Sequence, residues 1–295
     1  MGKISPKMIR GFSIPTRPTE MLEAIKTQSL FVQNPLEVTA AIAQDMALSA
    51  RILSAANTLL TGHNRKVESV PCAMVLLGQE KVREITHELF LGAEIARRVS
   101  GMQTLRLQGI RAAHILSWLS QELATLSPHF KNGNLPVVPS DEAYVVGMFH
   151  DCGKMVLLRH GADYANLLTA DRQVTRQTLE ELEAEQYETT HAILGSVLCD
   201  GWQWPKPLVY LIEVHHHRDA FAGRPVSERK YLVLHAMLLM TEWLEGDLME
   251  WEWERHRDYV QQLFALDDDT ILHLREQARA GIPLAGSRCG PEKRP

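Results

Sequence analysis

The chain has 295 residues, of which 45% are hydrophobic, and its 31 basic against 36 acidic residues give a formal net charge of −5. That length is enough for one large hydrophobic core or two medium ones, since single domains typically contain about 100–200 residues. This net charge supplies no global attraction to nucleic acid or to anionic lipid, and it disfavours a DNA-binding protein with a basic footprint. We therefore expect neither nucleic acid nor a membrane as a partner.

The N-terminal part of the chain has the helical spacing of apolar residues. One amphipathic helix is predicted to begin at Thr19 and a second to cover 36–44. The next helix is predicted from apolar residues that recur every three or four positions, namely Leu48, Ile52, Leu53, Ala56 and Leu60. The same spacing predicts a helix over 69–77, which Gly78 ends.

The rest of the chain continues this pattern. Further helices are predicted at about 79–100, 104–126, 141–150, 161–170, 176–187, 189–202, 206–217, 227–246, 250–264 and 268–280. No stretch alternates apolar and polar residues for the length of a strand. The sequence therefore predicts an all-α, two-lobed helical bundle over 12–280, with an N-terminal lobe over 12–103 and a second bundle over 104–280.

Three segments are predicted to lie at the surface. Segment 127–140 is rich in Pro, Gly and Asn and is typical of a surface loop. The acidic run 180–188 is most simply a solvated helix face, and 281–295 has the composition of a flexible tail.

The cysteines and the apolar runs indicate a compartment. Cys72, Cys152, Cys199 and Cys289 are far apart and form no CxxC pair. This usage favours reduced thiols in the core over a disulfide framework or a zinc ribbon. The first residues lack the apolar run of a secretory signal, and the most apolar run, 231–240, is about half as long as a bilayer requires. We expect a cytoplasmic protein.

The histidines carry the strongest chemical signal. His150 and Asp151 are adjacent in the run GMFHDCGK, and imidazole and carboxylate are both ligands for Fe, Mn, Zn or Mg. Both groups are costly to bury without a partner. The remaining candidate histidines each lie in or at the end of a predicted helix: His114, His191, His215, His216 and His217. A helical bundle can bring such side chains to one interior point, although any single histidine is more often a core or surface residue.

These residues resemble a known superfamily. His114, then His150-Asp151 with Gly153-Lys154, is similar to the HD metal-dependent phosphohydrolases, in which a helical bundle holds a metal through His, His-Asp and a later Asp. The resemblance implies an HD-like bundle for the second lobe.

The resemblance is closest to the HDOD branch and covers roughly 12–246. That family's Asp-Pro, Asn-Ser and Leu-Gly pattern is similar to two segments of this chain, IAQDMALSARILSAANTLL and VESVPCAMVLLGQEKVRE. HAILGSVLCDGWQWPKPLVYLIEVHHH resembles its later sequence of His, Gly, Trp, Pro and His-His.

The chain departs from the superfamily at one important position. In YLVLHAMLLMTEWLEG, Leu238 stands near the place of the final metal-binding aspartate, while Glu242 lies one helical turn further, about 5–6 Å along the axis. Met46 and Thr58 are milder departures, from proline and serine. Loss of an anionic ligand weakens a site that must hold a metal and activate water.

A second branch of the superfamily is also informative. HD-GYP phosphodiesterases use extra histidines at places comparable to His191, His215 and His216 to bind a second metal. This chain has HHHRDAFAGRP instead of the Gly-Tyr-Pro signature. A cyclic-dinucleotide phosphodiesterase is therefore disfavoured.

Three interpretations stay open. The favoured one is a non-catalytic, bacterial-type signal-transduction module that acts through another signalling protein and requires no cofactor. The alternative is a metal-dependent phosphohydrolase, a phosphodiesterase or nucleotidase, in which Lys154 contacts phosphate or pairs with Asp151. The third is a divalent metal, Fe, Mn, Zn or Ni, held for structure or sensing. The candidate ligands are His114, His150, Asp151, His191, His215 and His216.

Two tryptophans are candidates for a docking edge. Trp202 and Trp204 are bracketed by Gly201 and Pro205, and aromatic anchors dominate protein interfaces. Core packing is the more common role of such a pair.

Overall fold

The computed structural model describes residues 35–62, 66–92, 101–160, 163–170, 172, 176–221 and 225–281. These residues form helices and connecting turns and contain no β-strand, which confirms the all-α prediction. None of their helices combines the length and the apolar character needed to cross a bilayer. The helix predicted at Thr19, the predicted end of a helix at 93–100, and 282–295 of the predicted tail lie outside the described residues.

The helices follow one another with short connections. In chain order they are α1 Pro35–Ala43, α2 Met46–Leu59, α3 Val70–Gly92, α4 Met102–Leu126, α5 Pro128–Lys131, α6 Ser140–Phe149, α7 Cys152–His160, α8 Tyr164–Leu168, α9 Leu179–Tyr187, α10 His191–Gly201, α11 Lys206–Glu213, α12 Arg229–Glu245, α13 Glu250–Phe264 and α14 Asp268–Gly281. A 3₁₀ turn, Val226–Glu228, precedes α12.

The described chain divides into two compact units. Of the described residues, those within 1–110 and 148–224 form the first unit, and those within 111–147 and 225–295 form the second. The division into lobes over 12–103 and 104–280 stays a prediction.

Helix α2 shows how local chemistry sets the core of the first unit. Asp45 caps it, because one carboxylate oxygen accepts hydrogen bonds from the backbone N–H groups of Ala47 and Leu48 at 2.9 and 3.0 Å. The other oxygen pairs with Arg106 at 3.2 Å. Four members of the predicted apolar stripe, Leu48, Ile52, Leu53 and Ala56, are buried, whereas Leu60 is half-buried just past the helix. Helix α2 packs against α3. As predicted, α3 is interrupted at Gly78, whose φ of 76° is accessible to glycine without strain.

The second unit is built around α12, which is buried on nearly all sides from Tyr231 to Leu244. Helix α12 packs against α13, and the rings of Trp243 and Trp253 stack with centroids 4.5 Å apart. Leu238 is completely buried in this helix and Glu242 nearly so. Most of its buried residues are apolar, as expected for the central helix of a core, and His235, Thr241 and Glu242 are buried among them.

The structure corrects three expectations. Segment 127–140 is not only a surface loop, because it contains α5 and buries Phe130, Leu135 and Val138. Helix α7 was not predicted, since the sequence signals ended the preceding helix at His150 and placed the next one after 160. Cys152 and Cys199 are buried as expected, whereas Cys72 is exposed.

Candidate metal centre

The predicted His-Asp pair lies in the turn between α6 and α7. His150 is buried, and the side chain of Asp151 is 16% exposed. The Asp151 Oδ2 atom lies 3.4 Å from His150 Nε2 and accepts a 2.5 Å hydrogen bond from Lys154 Nζ. Burial alone would raise the pKa of Asp151, but Lys154 and the neighbouring histidines hold it well below its usual value. Asp151 is therefore an anion at neutral pH.

Glycine 153 sets the distance between the helices that carry the site. A Cβ at this position would overlap the backbone carbonyl oxygen of His191 and would lie 2.6 Å from the amide nitrogen of Gly195. Since backbone atoms cannot move aside as a flexible side chain can, only glycine allows α7 to pack this closely on α10. The Gly153 of the motif thus brings Asp151 next to the first residue of α10.

His191 is held from two directions. Its Nδ1 atom lies 2.7 Å from Glu183 Oε2, and its backbone N–H donates to the same oxygen at 2.7 Å. The other carboxylate oxygen of Glu183 accepts a 2.5 Å hydrogen bond from the Tyr164 hydroxyl. Burial and the Glu183 charge raise the pKa of Tyr164 well above its ordinary value, so the phenol stays protonated. The Nε2 atom of His191 lies 3.3 Å from Asp151 Oδ1.

His215 and His216 follow α11 and complete the group. His215 is completely buried, and its Nδ1–H donates to the Ile212 carbonyl at 2.7 Å, so its Nε2 atom carries the lone pair. That Nε2 atom lies 3.8 Å from Asp151 Oδ1. The Nε2 atom of His216 lies 2.9 Å from His191 Nε2, and burial, together with His215, lowers the pKa of His216 well below its ordinary value.

Four side chains converge in a group that we call the His-Asp centre: Asp151, His191, His215 and His216. Each presents one ligand atom, and these atoms all lie within 4.8 Å of one another. A tetrahedral metal with bonds of about 2.1 Å separates its ligand atoms by about 3.4 Å. The observed separations bracket that value: His191 Nε2 lies 2.9 Å from His216 Nε2, and Asp151 Oδ1 lies 3.3 Å from His191 Nε2 and 3.8 Å from His215 Nε2. The buried Asp151 Oδ1 atom has no hydrogen bond. Three imidazoles and one carboxylate therefore fit a divalent transition metal.

The other candidate ligands are placed differently. His150 contacts Asp151 and stands edge-on to His215, with ring centroids 5.5 Å apart, but it is not one of the four converging residues. His114 belongs to the second unit, where its ring packs edge-on against Tyr144, and burial lowers its pKa. Leu238 and Glu242 also belong to that unit. A metal-binding role for His114 stays a prediction.

The sequence missed the residues behind His191. The acidic run 180–188 was expected on a solvated face, yet Glu183 is completely buried and Glu180 is largely so. Glu180 lies 3.4 Å from His217, and the hydrogen bond between them raises the pKa of His217. In the sequence, Glu183 lies eight residues before His191, on the other side of the turn that joins α9 to α10. This spacing is the only sequence feature that could have pointed to Glu183 as a partner of His191. Sequence alone does not show how sharply that turn reverses the chain.

The two tryptophans both contact Phe149. Trp204 is only 4% exposed and packs edge-on against that ring at 5.1 Å, so it is an interior residue and not an exposed anchor. Trp202 is half-buried, with its ring 5.5 Å from the same phenylalanine. Only Trp202 keeps surface that a partner could contact.

A profile of the HDOD domain matches residues 14–218, which is more than half of the chain. This chain belongs to the HDOD domain family. The expected resemblance is thereby confirmed, and the match includes the whole His-Asp centre.

Solved structures share this HDOD fold. The MmoQ response regulator of Methylococcus capsulatus is 22% identical, with a TM-score of 0.61 over 90% of this chain and 98% of that one. A virulence factor of Campylobacter jejuni is 16% identical, with a TM-score of 0.60 over 93% of this chain and 97% of that one. At these identities the likeness concerns the fold.

A comparison of sequences also found a relative of this chain. An uncharacterized protein of Treponema pallidum (strain Nichols) is 21% identical over 211 residues, which are 69% of this chain. The match spans 38% of the length of that protein.

Proposed function

We propose that this HDOD protein is a non-catalytic, bacterial-type signal-transduction module that acts through another signalling protein and holds a divalent transition metal at its His-Asp centre. Family membership and the signalling name of the MmoQ response regulator support the first part. The convergence of three imidazoles and one carboxylate supports the second.

The donor set indicates which metals suit the centre. Imidazole ligands favour Zn, Fe, Ni or Cu, whereas Mg prefers an all-oxygen shell. Three neutral imidazoles and one carboxylate leave a bound divalent ion with one net positive charge. The bound metal would supply a fixed positive charge and link the turn after α6, the start of α10 and the end of α11. That linkage suits a structural or sensing role.

Turnover is disfavoured for a separate reason. An HD phosphohydrolase uses a further aspartate to hold the metal and orient its water, and Leu238 stands at the corresponding place in the sequence. An aliphatic side chain can do neither. The alternative is a metal-dependent phosphohydrolase that uses His150, Asp151 and Lys154. It is supported by the hydrogen bond that Lys154 donates to Asp151.

The test separates metal occupancy from turnover. The full chain is purified without chelator or nickel resin, its metal content is measured, and phosphomonoesters, nucleotides and cyclic dinucleotides are assayed with Mn, Fe(II), Mg and Zn. We expect about one metal per chain and no metal-dependent turnover. Turnover that disappears in both His150→Ala and Asp151→Ala would overturn the non-catalytic role.

A further inference from the structure

We infer that Glu183 is a positioning residue for the metal centre: it fixes the ring and the tautomer of His191 so that Nε2 is presented to the ion, and Tyr164 holds Glu183 in place. This inference rests on the proposed metal site. It assigns a role to two residues that supply no ligand atom.

The hydrogen bonds of Glu183 Oε2 support this positioning role, because both are made to His191. Its Oε2 atom accepts two hydrogen bonds from the same residue, one from the backbone N–H and one from the imidazole Nδ1–H of His191, both at 2.7 Å. Because a carboxylate can only accept, the proton is fixed on Nδ1 and the lone pair on Nε2. The backbone contact fixes the position of the residue, and the ring contact fixes its rotation.

Tyr164 removes the remaining freedom of the carboxylate. Its hydroxyl donates to Glu183 Oε1 at 2.5 Å, and the side chains of Tyr164, Glu183 and His191 are all completely buried. With both oxygens engaged, the carboxylate cannot rotate away from the imidazole. The Nε2 atom of His191 consequently points at Asp151 Oδ1, 3.3 Å away.

Helix capping alone does not require this buried charge. Thr190 already caps α10, since its hydroxyl accepts a hydrogen bond from the Ile193 N–H at 3.3 Å. A completely buried carboxylate is expensive unless several donors compensate it, and a neutral residue could satisfy one backbone N–H at lower cost. A carboxylate behind a histidine instead makes the imidazole a better donor to a cation. The Nδ1 atom of His215, in contrast, faces the neutral backbone carbonyl of Ile212.

Cobalt(II) binding to the full-length protein tests this role. The dissociation constant and the visible spectrum of the saturated protein are measured for the wild type, Glu183→Gln, Tyr164→Phe and Glu185→Gln. Glutamine can keep the geometry but loses the charge, so we expect about 10–100-fold weaker binding and shifted visible bands. Tyr164→Phe should have a smaller effect in the same direction. Glu185→Gln makes the same change on an exposed position of α9 and should leave both readouts unchanged.

The outcomes distinguish the two proposals. If the wild type binds no Co(II), the metal site itself is overturned. If the wild type binds but Glu183→Gln matches it in affinity and spectrum, the role of Glu183 is overturned, because a purely structural residue would change stability and not the cobalt bands. If Glu183→Gln does not fold, Tyr164→Phe decides in the same way: unchanged affinity and bands overturn the inference.

Discussion

The His-Asp centre of the first unit and helix α12 of the second are both buried, but they bury opposite kinds of chemistry. In the first unit, Asp151, His191 and His215 each have a second contact that orients a ligand atom. In α12, Leu238, which the sequence resemblance places near the superfamily's final aspartate, is completely buried in a mostly apolar helix. The first region buries polar ligand atoms together with the residues that orient them, whereas α12 buries mostly apolar side chains.

This difference separates metal binding from catalysis. Buried polar groups persist only where hydrogen bonds or an ion compensate for their lost hydration. In the first unit, hydrogen bonds orient the buried ligand atoms, whereas the surroundings of Leu238 in α12 are mostly apolar. We therefore predict large effects on metal binding in the first unit and effects on stability alone in α12.

The largest effect is expected from removal of a ligand within the histidine run. His215→Ala should weaken metal binding more than about 100-fold, which exceeds the 10–100-fold typical of residues behind a ligand. His217→Ala is the matched control, since the His217 side chain is 64% exposed and lies outside the four-residue group. Titration with zinc checks both variants. Equal losses in the two would mean that the run binds metal without a defined centre.

The second largest effect is expected from a substitution that disturbs the close packing of α7 on α10. Gly153→Ala places a methyl group against the His191 carbonyl, and we expect a loss of at least about 2 kcal/mol in the free energy of unfolding. Metal affinity should fall as well, because α10 must shift. Gly201→Ala is the control at the end of α10, where a Cβ meets nothing within 4 Å. Urea unfolding of both variants gives the comparison, and a tolerated Gly153→Ala would show that the helices can separate without cost.

A carboxylate restored to α12 should destabilise the protein. Leu238→Asp buries an acidic group in an apolar helix, and we expect a cost of about 2–4 kcal/mol without any phosphoesterase activity. Leu238→Met nearly conserves volume and should cost less than about 1.5 kcal/mol. Thermal unfolding and the phosphoester assay are run with and without Mn. Metal-dependent activity in Leu238→Asp would show that α12 still belongs to a latent active site.

The smallest effect is expected at Thr241, whose hydroxyl donates to the Met237 carbonyl of the same helix at 2.9 Å. Thr241→Val removes a hydrogen bond that serves only α12 itself, and the free energy of unfolding should change by no more than about 1 kcal/mol. Chemical denaturation is sufficient to measure it. A loss above 3 kcal/mol would indicate that this hydroxyl serves a polar site.

The sequence predicted the parts that depend on local spacing. Apolar periodicity located α2, α13 and α14, and glycine marked the interruption at Gly78. The adjacent His150 and Asp151 were predicted as candidate ligands, and Asp151 is one of the four converging residues. These features need no knowledge of tertiary structure.

The arrangement behind the ligands could not be predicted in the same way. Glu183 lies in an acidic run that has the composition of a solvated face, and only the reversal of the chain between α9 and α10 buries it. The role of Gly153 depends on the approach of another helix, which composition does not encode. Burial of Trp204 likewise follows from its contact with Phe149.

Anomalous diffraction from crystals of the full-length protein grown with zinc would test the central claim most directly. We predict one strong peak within about 2.0–2.2 Å of Asp151 Oδ1 and the Nε2 atoms of His191 and His215, with His216 as the fourth ligand. A crystal with no peak at these atoms, or with the metal bound by His150 and His114 instead, would contradict it.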